Sequence, residues 1–145
     1  MHKLRYRGDK VLKAICEGVT EFNTDKLYHL VQDMRIIMLE NNGVGLAAPQ
    51  AGEAIRVIIV KKQARKGIWV VINPEITDRS PRTNISNEGC LSYLGTFKEV
   101  ERPNCVSVKG QDIQGNKIYI TAKGIEARIF CHEIDHLEGK CIVGL

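Results

Sequence analysis

The sequence has no hydrophobic run long enough to cross a membrane, because its longest apolar runs, such as IWVVI at 68–72, have the length of a β-strand. Its first ten residues, MHKLRYRGDK, lack the apolar stretch that a secretion signal needs. It has no large excess of charge either: the net charge is +4, and the 21 basic residues are scattered, with the densest group at 61–66. These absences predict a cytoplasmic protein that neither enters a membrane nor recognises nucleic acid directly.

The cysteines form no disulfide framework, because their number is odd and their spacing is irregular. Reduced thiols are therefore expected, and one of them could serve as a metal ligand. At 145 residues, with 43% hydrophobic residues, the chain predicts a single domain, residues 1–145, built around one sizeable core. The five cysteines are Cys16, Cys90, Cys105, Cys131 and Cys141.

The spacing of apolar residues predicts a helix and two β-hairpins. Residues 23–42 predict an amphipathic helix, because five apolar side chains recur at helical spacing and a glycine follows. The runs IRVIIVK and GIWVVIN predict one hairpin, and CVSVKG and KIYIT predict another around QDIQGN. Residues 73–104 contain three prolines and no sustained period, so they are predicted to be loops with short strands.

The segment CHEIDHLEGK at 131–140 holds two of the four histidines, spaced four apart around a glutamate. A buried helix is predicted over about 123–137, since apolar residues flank the histidine face on both sides. His132 and His136 then lie one turn apart and aim at a common point, with Glu133 beside them. Buried histidines need partners, so the pattern indicates a metal site with a carboxylate next to a bound water.

A catalytic metal of this kind usually has three protein ligands, so a third must come from elsewhere in the chain. Cys131 adjoins His132 but points a quarter-turn or more away from it on a helix. Cys16 and Cys105 fit apolar patterns typical of small buried side chains. Cys90 lies in an irregular segment, where a side chain can be aimed without the constraints of a core strand. The remaining candidates are acidic side chains, Cys141, His2 and His29.

Three segments resemble the signature motifs of peptide deformylase: GVGLAAPQ at 43–50, EGCLS at 88–92 and HEIDHLEG at 132–139. They come in the order of that family and with its approximate separations. The resemblance extends to RYRGDKVLK near the start and to VERPN at 100–104, so it covers nearly the whole chain. It implies an α+β fold in which antiparallel strands pack around a buried central helix that carries HEIDH.

The resemblance also implies what the site residues do. Glu133 would be the general acid/base, and the Gln50 side chain and the Leu91 backbone N–H would bind the oxyanion. The implied metal ligands are Cys90, His132 and His136.

Methionine selectivity would need an apolar pocket, for which Val44, Leu91 and Ile129 are candidate walls. Gly45 belongs to GVGL, whose two glycines let a backbone approach closely, so that an extended peptide could pair there as an added strand. They could equally serve only to permit a tight turn.

The implied activity is removal of the N-formyl group from the N-terminal formyl-methionine of newly made polypeptides, which releases formate. The implied cofactor is one divalent metal ion, naturally ferrous iron, although zinc, nickel or cobalt also suit nitrogen and sulfur ligands. The chain departs from the family pattern at Cys131, at Tyr93-Leu94 and at its end, six residues after Gly139, where many relatives continue into a helix. Without that helix we expect weaker association with the ribosome that presents nascent chains.

Three alternatives share parts of this pattern. An HExxH peptidase would use the same metal and glutamate, but its third ligand is usually His or Glu rather than the cysteine of EGCLS. A structural metal site needs four protein ligands, and Cys141 could be the fourth. A catalytically lapsed binder of formylated or N-terminal peptides would keep the same fold.

Overall fold

The computed structural model describes residues 1–145, which form two α-helices, seven β-strands and three short 3-10 helices. Neither α-helix has the length and apolar character required to cross a membrane. The α-helices are α1 (Asp25–Glu40) and α2 (Ile125–Leu137). The strands are β1 (Gly45–Ala47), β2 (Val57–Lys61), β3 (Ile68–Arg79), β4 (Thr83–Gly89), β5 (Phe97–Pro103), β6 (Cys105–Gln111) and β7 (Lys117–Lys123). The 3-10 helices are Lys10–Lys13, Ala48–Ala51 and Ile142–Gly144.

Helix α1 confirms the first predicted helix, with each end a little shorter than expected. The Thr24 hydroxyl caps its start by accepting the Leu27 backbone N–H at 3.2 Å. At its far end the Gly43 N–H donates to the Met38 carbonyl at 2.8 Å, which turns the chain towards β1. Capping satisfies backbone groups that the helix itself leaves free, so these residues fix where the helix begins and ends.

The strands form two antiparallel sheets. A five-stranded sheet has the order β1-β2-β3-β6-β7, and a separate two-stranded sheet consists of β4 and β5. Both predicted hairpins are confirmed, since β2 pairs with β3 and β6 pairs with β7. Gly115 lies in the β6–β7 turn with a φ of +91°, a conformation that favours glycine. The α+β class implied by the sequence motifs is therefore confirmed.

Strand β2 shows why the core forms around the five-stranded sheet. Its residues alternate between two buried clusters: Ile58 and Val60 pack in the cluster that contains α2, and Val57 and Ile59 pack in the one that contains α1. A strand covered by a helix on each face reads as a continuous apolar run, which matches the sequence. Each side chain buried in this way contributes about 1.5–3 kcal/mol. Helix α2 covers one face of this sheet, and most of its residues are buried inside the molecule.

Residues 73–104, predicted to be loops with short strands, contain more strand than expected, because β3 continues to Arg79 and β4 and β5 form a seven-pair ladder. The prolines are accommodated where no ladder hydrogen bond is lost. Pro74 falls in a register irregularity of β3, Pro81 lies between β3 and β4, and Pro103 is the last residue of β5. Proline is tolerated at bulges and strand ends, so it does not exclude strands here.

The run Cys141-Ile142-Val143, which resembles a short strand in sequence, forms a 3-10 turn instead. Ile142 is completely buried, whereas the exposed fractions of Val143 and Leu145 are 38% and 45%. The run therefore inserts one side chain into the core instead of burying alternate residues on a sheet.

Candidate active site

Helix α2 carries both histidines of HEIDH on one face. Their ring centroids are 5.0 Å apart. The His136 side chain is fully buried, and that of His132 is 11% exposed. The four-residue spacing thus places the two imidazoles one turn apart in the interior.

Cys90 reaches the same point from the end of β4. The chain turns there, with the Tyr93 N–H donating to the Cys90 carbonyl at 3.0 Å, and the Cys90 Sγ atom lies 3.4 Å from His136 Nε2. The ligand atoms of Cys90, His132 and His136 all lie within 4.8 Å of one another. No other group of three His, Cys, Asp or Glu residues in the molecule is arranged to hold a metal ion, so Cys141 does not join this cluster.

The geometry of this cluster fits a divalent metal ion. Thiolate and imidazole ligands at about 2.3 and 2.05 Å in a tetrahedral arrangement place sulfur and nitrogen about 3.6 Å apart, close to the 3.4 Å found between Cys90 and His136. Burial lowers the pKa of His136 to about 3, so its ring is neutral and able to bind a metal. Two buried polar atoms, Glu133 Oε1 and His136 Nδ1, have no hydrogen-bond partner in the protein. One thiolate with two imidazoles suits zinc, iron, nickel or cobalt.

Glu88 orients His132. Its Oε1 atom lies 3.0 Å from His132 Nδ1, and it forms two 2.9 Å hydrogen bonds with the Arg102 guanidinium. Burial raises the pKa of Glu88, but hydrogen bonds from His132, Arg102 and Arg128 outweigh it and lower the pKa to about 2. The ionised carboxylate holds the Nδ1 proton of His132 and leaves Nε2 for a metal, as ligating histidines usually require.

Two opposing effects act on the pKa of His132. Burial lowers it, but the charge of Glu133 and the hydrogen bonds with Cys90 and Glu88 raise it to about 10. An imidazole ligand must be neutral, so metal binding at His132 would be favoured by high pH.

Glu133 lies against Gly45 of β1. A Cβ atom on Gly45 would lie 2.7 Å from Glu133 Oε2 and 2.8 Å from Ile129 Cγ2, so only glycine lets α2 approach this closely. Gly43 is similarly close to Leu91, and neither glycine has a positive φ. Close approach, not a tight turn, therefore explains the glycines of GVGL. Burial raises the pKa of Glu133 to about 7, against the opposing charge of His132.

Gln50 points its amide nitrogen towards the metal-ligand cluster. Its Oε1 atom accepts the Ala47 N–H at 3.0 Å, which fixes the orientation of the amide. Its Nε2 atom then lies 3.1 Å from Ser92 Oγ and 3.6 Å from Cys90 Sγ. The Leu91 N–H, next to Cys90, donates to no group of the protein. Both donors therefore adjoin the cluster.

A cleft of about 530 Å³ opens over Cys90, His132 and Glu133. Its size falls in the range of small-ligand sites. Its wall includes Gly45, the first residue of β1, which is an edge strand of the five-stranded sheet. The four residues predicted to bind substrate all line the cleft: Val44, Gly45, Leu91 and Ile129.

Comparison with known proteins agrees with this geometry. The family model of polypeptide deformylase matches residues 1–144. Peptide deformylase 1 of Clostridium perfringens is 42% identical over 139 residues, which cover 96% of this chain and 93% of that protein. This chain belongs to the polypeptide deformylase family. The assignment from three sequence motifs is confirmed, and the family is one of hydrolases.

Solved peptide deformylases share the fold as well. The class I type b peptide deformylase from Acinetobacter baumannii with Met-Ala-Ser bound superposes with a TM-score of 0.94 at 38% identity, covering 99% of this chain and 96% of that one. The peptide deformylase of Thermotoga maritima superposes with a TM-score of 0.93, also at 38% identity and with the same coverage of both chains. The agreement spans both sheets and both helices.

The sequence motifs did not reveal the residues around Glu88. Glu88 belongs to EGCLS and Arg102 to VERPN, but a role for either depends on contacts between residues 14 to 44 positions apart. The available signal was a glutamate two residues before the candidate thiolate, within the EGCLS motif. Membership of the deformylase family also removes the peptidase and structural-metal alternatives.

Proposed function

We propose that this protein is a metal-dependent peptide deformylase, in which residues 1–145 act as one catalytic domain that removes the formyl group from N-formyl-methionyl polypeptides. The observation that carries the proposal is the convergence of Cys90, His132 and His136 at the floor of a cleft, within reach of Glu133 and Gln50. One divalent metal ion would be held by the thiolate and the two imidazoles, with ferrous iron as the natural ion.

The proposed chemistry is hydrolysis of an amide. A bound divalent metal lowers the pKa of a water ligand from 15.7 towards about 7, which supplies a nucleophile at neutral pH. Glu133 accepts a proton from the attacking water and later passes one to the departing nitrogen. Its burial, which raises the pKa of the carboxyl, and its place beside His132 suit a group that accepts and then donates a proton.

Two donors would stabilise the oxyanion that forms on the formyl carbonyl. The Gln50 Nε2 atom is held in position by the hydrogen bond between Gln50 Oε1 and the Ala47 N–H. The Leu91 N–H is the second donor, and it is free of protein acceptors. Donors fixed in advance need not reorganise during the reaction, which is why one such contact is worth about 3–4 kcal/mol.

The substrate backbone would pair with β1. An extended peptide adds readily to a free strand edge, and β1 offers one inside the cleft. Val44, Leu91 and Ile129 would surround the methionine side chain. Nascent chains at the ribosome are the proposed source of substrate, which places the enzyme in the cytoplasm, where polypeptides are made.

The proposal is tested by formate release from formyl-Met-Ala-Ser, with acetyl-Met-Ala-Ser as the matched control. We expect formate from the first peptide and no cleavage of either peptide at its internal bonds. Removal of the metal with a chelator should abolish the activity, and Fe²⁺, Ni²⁺ or Co²⁺ should restore it. Full activity after verified metal removal, or cleavage within the peptides, would contradict the proposed function.

Gln50→Leu should lower kcat by roughly 10²- to 10³-fold with little change in KM, because the lost hydrogen bond forms in the transition state. Steady-state kinetics on formyl-Met-Ala-Ser measure both constants. Gln63→Leu, which makes the same change on the exposed β2–β3 loop, is the control and should leave kcat unchanged. A raised KM at normal kcat would assign Gln50 to substrate binding instead.

A further inference from the structure

The β4–β5 hairpin shares no strand ladder with the five-stranded sheet, yet it carries Glu88 and leads directly into Cys90. Helix α2 carries the two histidines and packs against the other sheet. The three proposed ligands therefore come from a helix and a hairpin, and no strand ladder links the hairpin to the sheet on which the helix packs. Whatever joins the hairpin to α2 determines whether the ligand atoms converge.

Three residues of α2 bind the hairpin: His132 contacts Glu88 of β4, Asp135 contacts Arg102 of β5, and Arg128 reaches both strands. Its Nη1 atom donates to Glu88 Oε2 at 2.6 Å and to the Val100 carbonyl at 2.8 Å. Its Nη2 atom donates to the Asn84 carbonyl at 2.9 Å and to Asn84 Oδ1 at 2.6 Å. One guanidinium from the helix thus holds both strands of the hairpin. The Arg128 side chain is only 11% exposed, so these bonds are largely shielded from water.

The position of Arg128 on the helix connects these contacts to the metal site. Arg128 precedes His132 by four residues, so the two side chains lie on the same face of α2. Both bind the same carboxylate: His132 Nδ1 contacts Glu88 Oε1, and Arg128 contacts Glu88 Oε2. The carboxylate is therefore fixed at both oxygens by residues of one helix.

Arg102 plays a different part in the same cluster. It belongs to β5, so its two bonds to Glu88 of β4 lie within the hairpin, and it reaches α2 only through Asp135 at 2.7 Å. Arg128 also lines the cleft, and Arg102 does not.

We propose that Arg128 is a positioning residue for the metal site: it fixes Glu88 against His132 and fastens the hairpin that bears Cys90 to the helix that bears the histidines. This inference rests on the ligand set of the proposed function. It assigns Arg128 no contact with the metal or with the reacting atoms. Substitution of Arg128 should therefore change metal affinity and ligand geometry more than it changes the rate of the chemical step.

The test compares Arg128→Met and Arg128→Lys with the wild-type protein. Metal affinity is measured by competition with a chelator, and the visible spectrum of the cobalt-substituted protein reports the coordination geometry. We expect Arg128→Met to bind metal about 10- to 100-fold more weakly, the usual effect of losing a group that orients a ligand, and to alter the cobalt spectrum. Arg128→Lys keeps the positive charge but loses the planar guanidinium that reaches several acceptors at once. Its metal affinity should therefore fall between those of the wild-type protein and Arg128→Met.

Arg56→Met is the matched control. Arg56 also donates to one carboxylate, Glu138, and one carbonyl, that of Pro74, but it lies outside the cleft. It should lower thermal stability without changing metal affinity or the cobalt spectrum. If Arg128→Met does not fold, Arg128→Lys decides the question through the same two measurements.

A double-mutant cycle with Glu88→Gln separates positioning from general stability. If Arg128 acts through Glu88, either substitution alone already disrupts the contact of Glu88 with His132. The double variant should then bind metal only slightly more weakly than whichever single variant binds it less tightly. The proposal would be overturned if the fold-losses in metal affinity of the two single variants multiplied in the double variant. It would also be overturned if Arg128→Met left the metal affinity and the cobalt spectrum unchanged. Either result would leave the proposed function intact. A wild-type protein that bound no metal would instead overturn the proposed function.

Discussion

Glu133→Ala is expected to lower kcat by about 10²- to 10⁴-fold, the range attributed to general acid/base catalysis, while metal content stays at the wild-type level. The loss should fall near the upper end, because Glu133 is the one buried carboxylate in the cleft whose Oε1 has no protein partner, so that no neighbouring acid can replace it. Glu133→Gln removes the base at nearly constant volume, so it should show the same loss.

Steady-state kinetics and metal analysis on the same preparations check this prediction. Glu126→Ala is the control, since Glu126 lies in the first turn of the same helix and bonds to the Gln63 N–H outside the cleft. Glu126→Ala should retain wild-type kcat. A Glu133→Ala enzyme that turned over at a comparable rate would remove the acid/base role.

The second large effect is expected at the thiolate. Cys90→Ala should lose metal affinity by more than the roughly 10- to 100-fold that loss of an orienting group costs, because it removes a ligand itself. Activity on formyl-Met-Ala-Ser should disappear with the metal. Cys90→Asp keeps an anionic ligand, so it should retain some metal but shift the preference towards harder ions.

Metal content after dialysis and chelator competition measure the Cys90 variants. Cys141→Ala is the matched control, because Cys141 is a free, half-buried cysteine like Cys90 but lies outside the ligand cluster. It should bind metal normally. Unchanged metal affinity in Cys90→Ala, or loss of metal in Cys141→Ala, would show that the ligand set has been misassigned.

The sequence was most informative where a local period repeats over many residues. The apolar spacing in 23–42 predicted α1, and the β-rich runs around 57–72 and 105–123 predicted two hairpins, all of which form. Such patterns suffice because each records which face of one element is buried. The extent and pairing of β4 and β5 were not predicted, because their faces are mostly exposed and polar, so no sustained period marks them.

The candidate site was predictable only in part, for a related reason. The spacing of His132 and His136 and the adjacent Glu133 follow from the geometry of one helix, whereas the third ligand required the family resemblance. The contacts of Glu88 with Arg102 and Arg128 join residues from three elements, and no short-range pattern encodes them. The second glycine of GVGL is explained only by the approach of Glu133 across the fold.

The unpaired edge of β1 has a further consequence for how this protein avoids aggregation. Free strand edges can pair with those of other molecules, and long exposed ones do so most readily. β1 is only three residues long and is buried along its length, and its first residue, Gly45, lines the cleft. The opposite edge strand, β7, is longer, and lysines occupy both of its ends. The short, buried edge of β1 and the charged ends of β7 both disfavour pairing with the sheet of another copy.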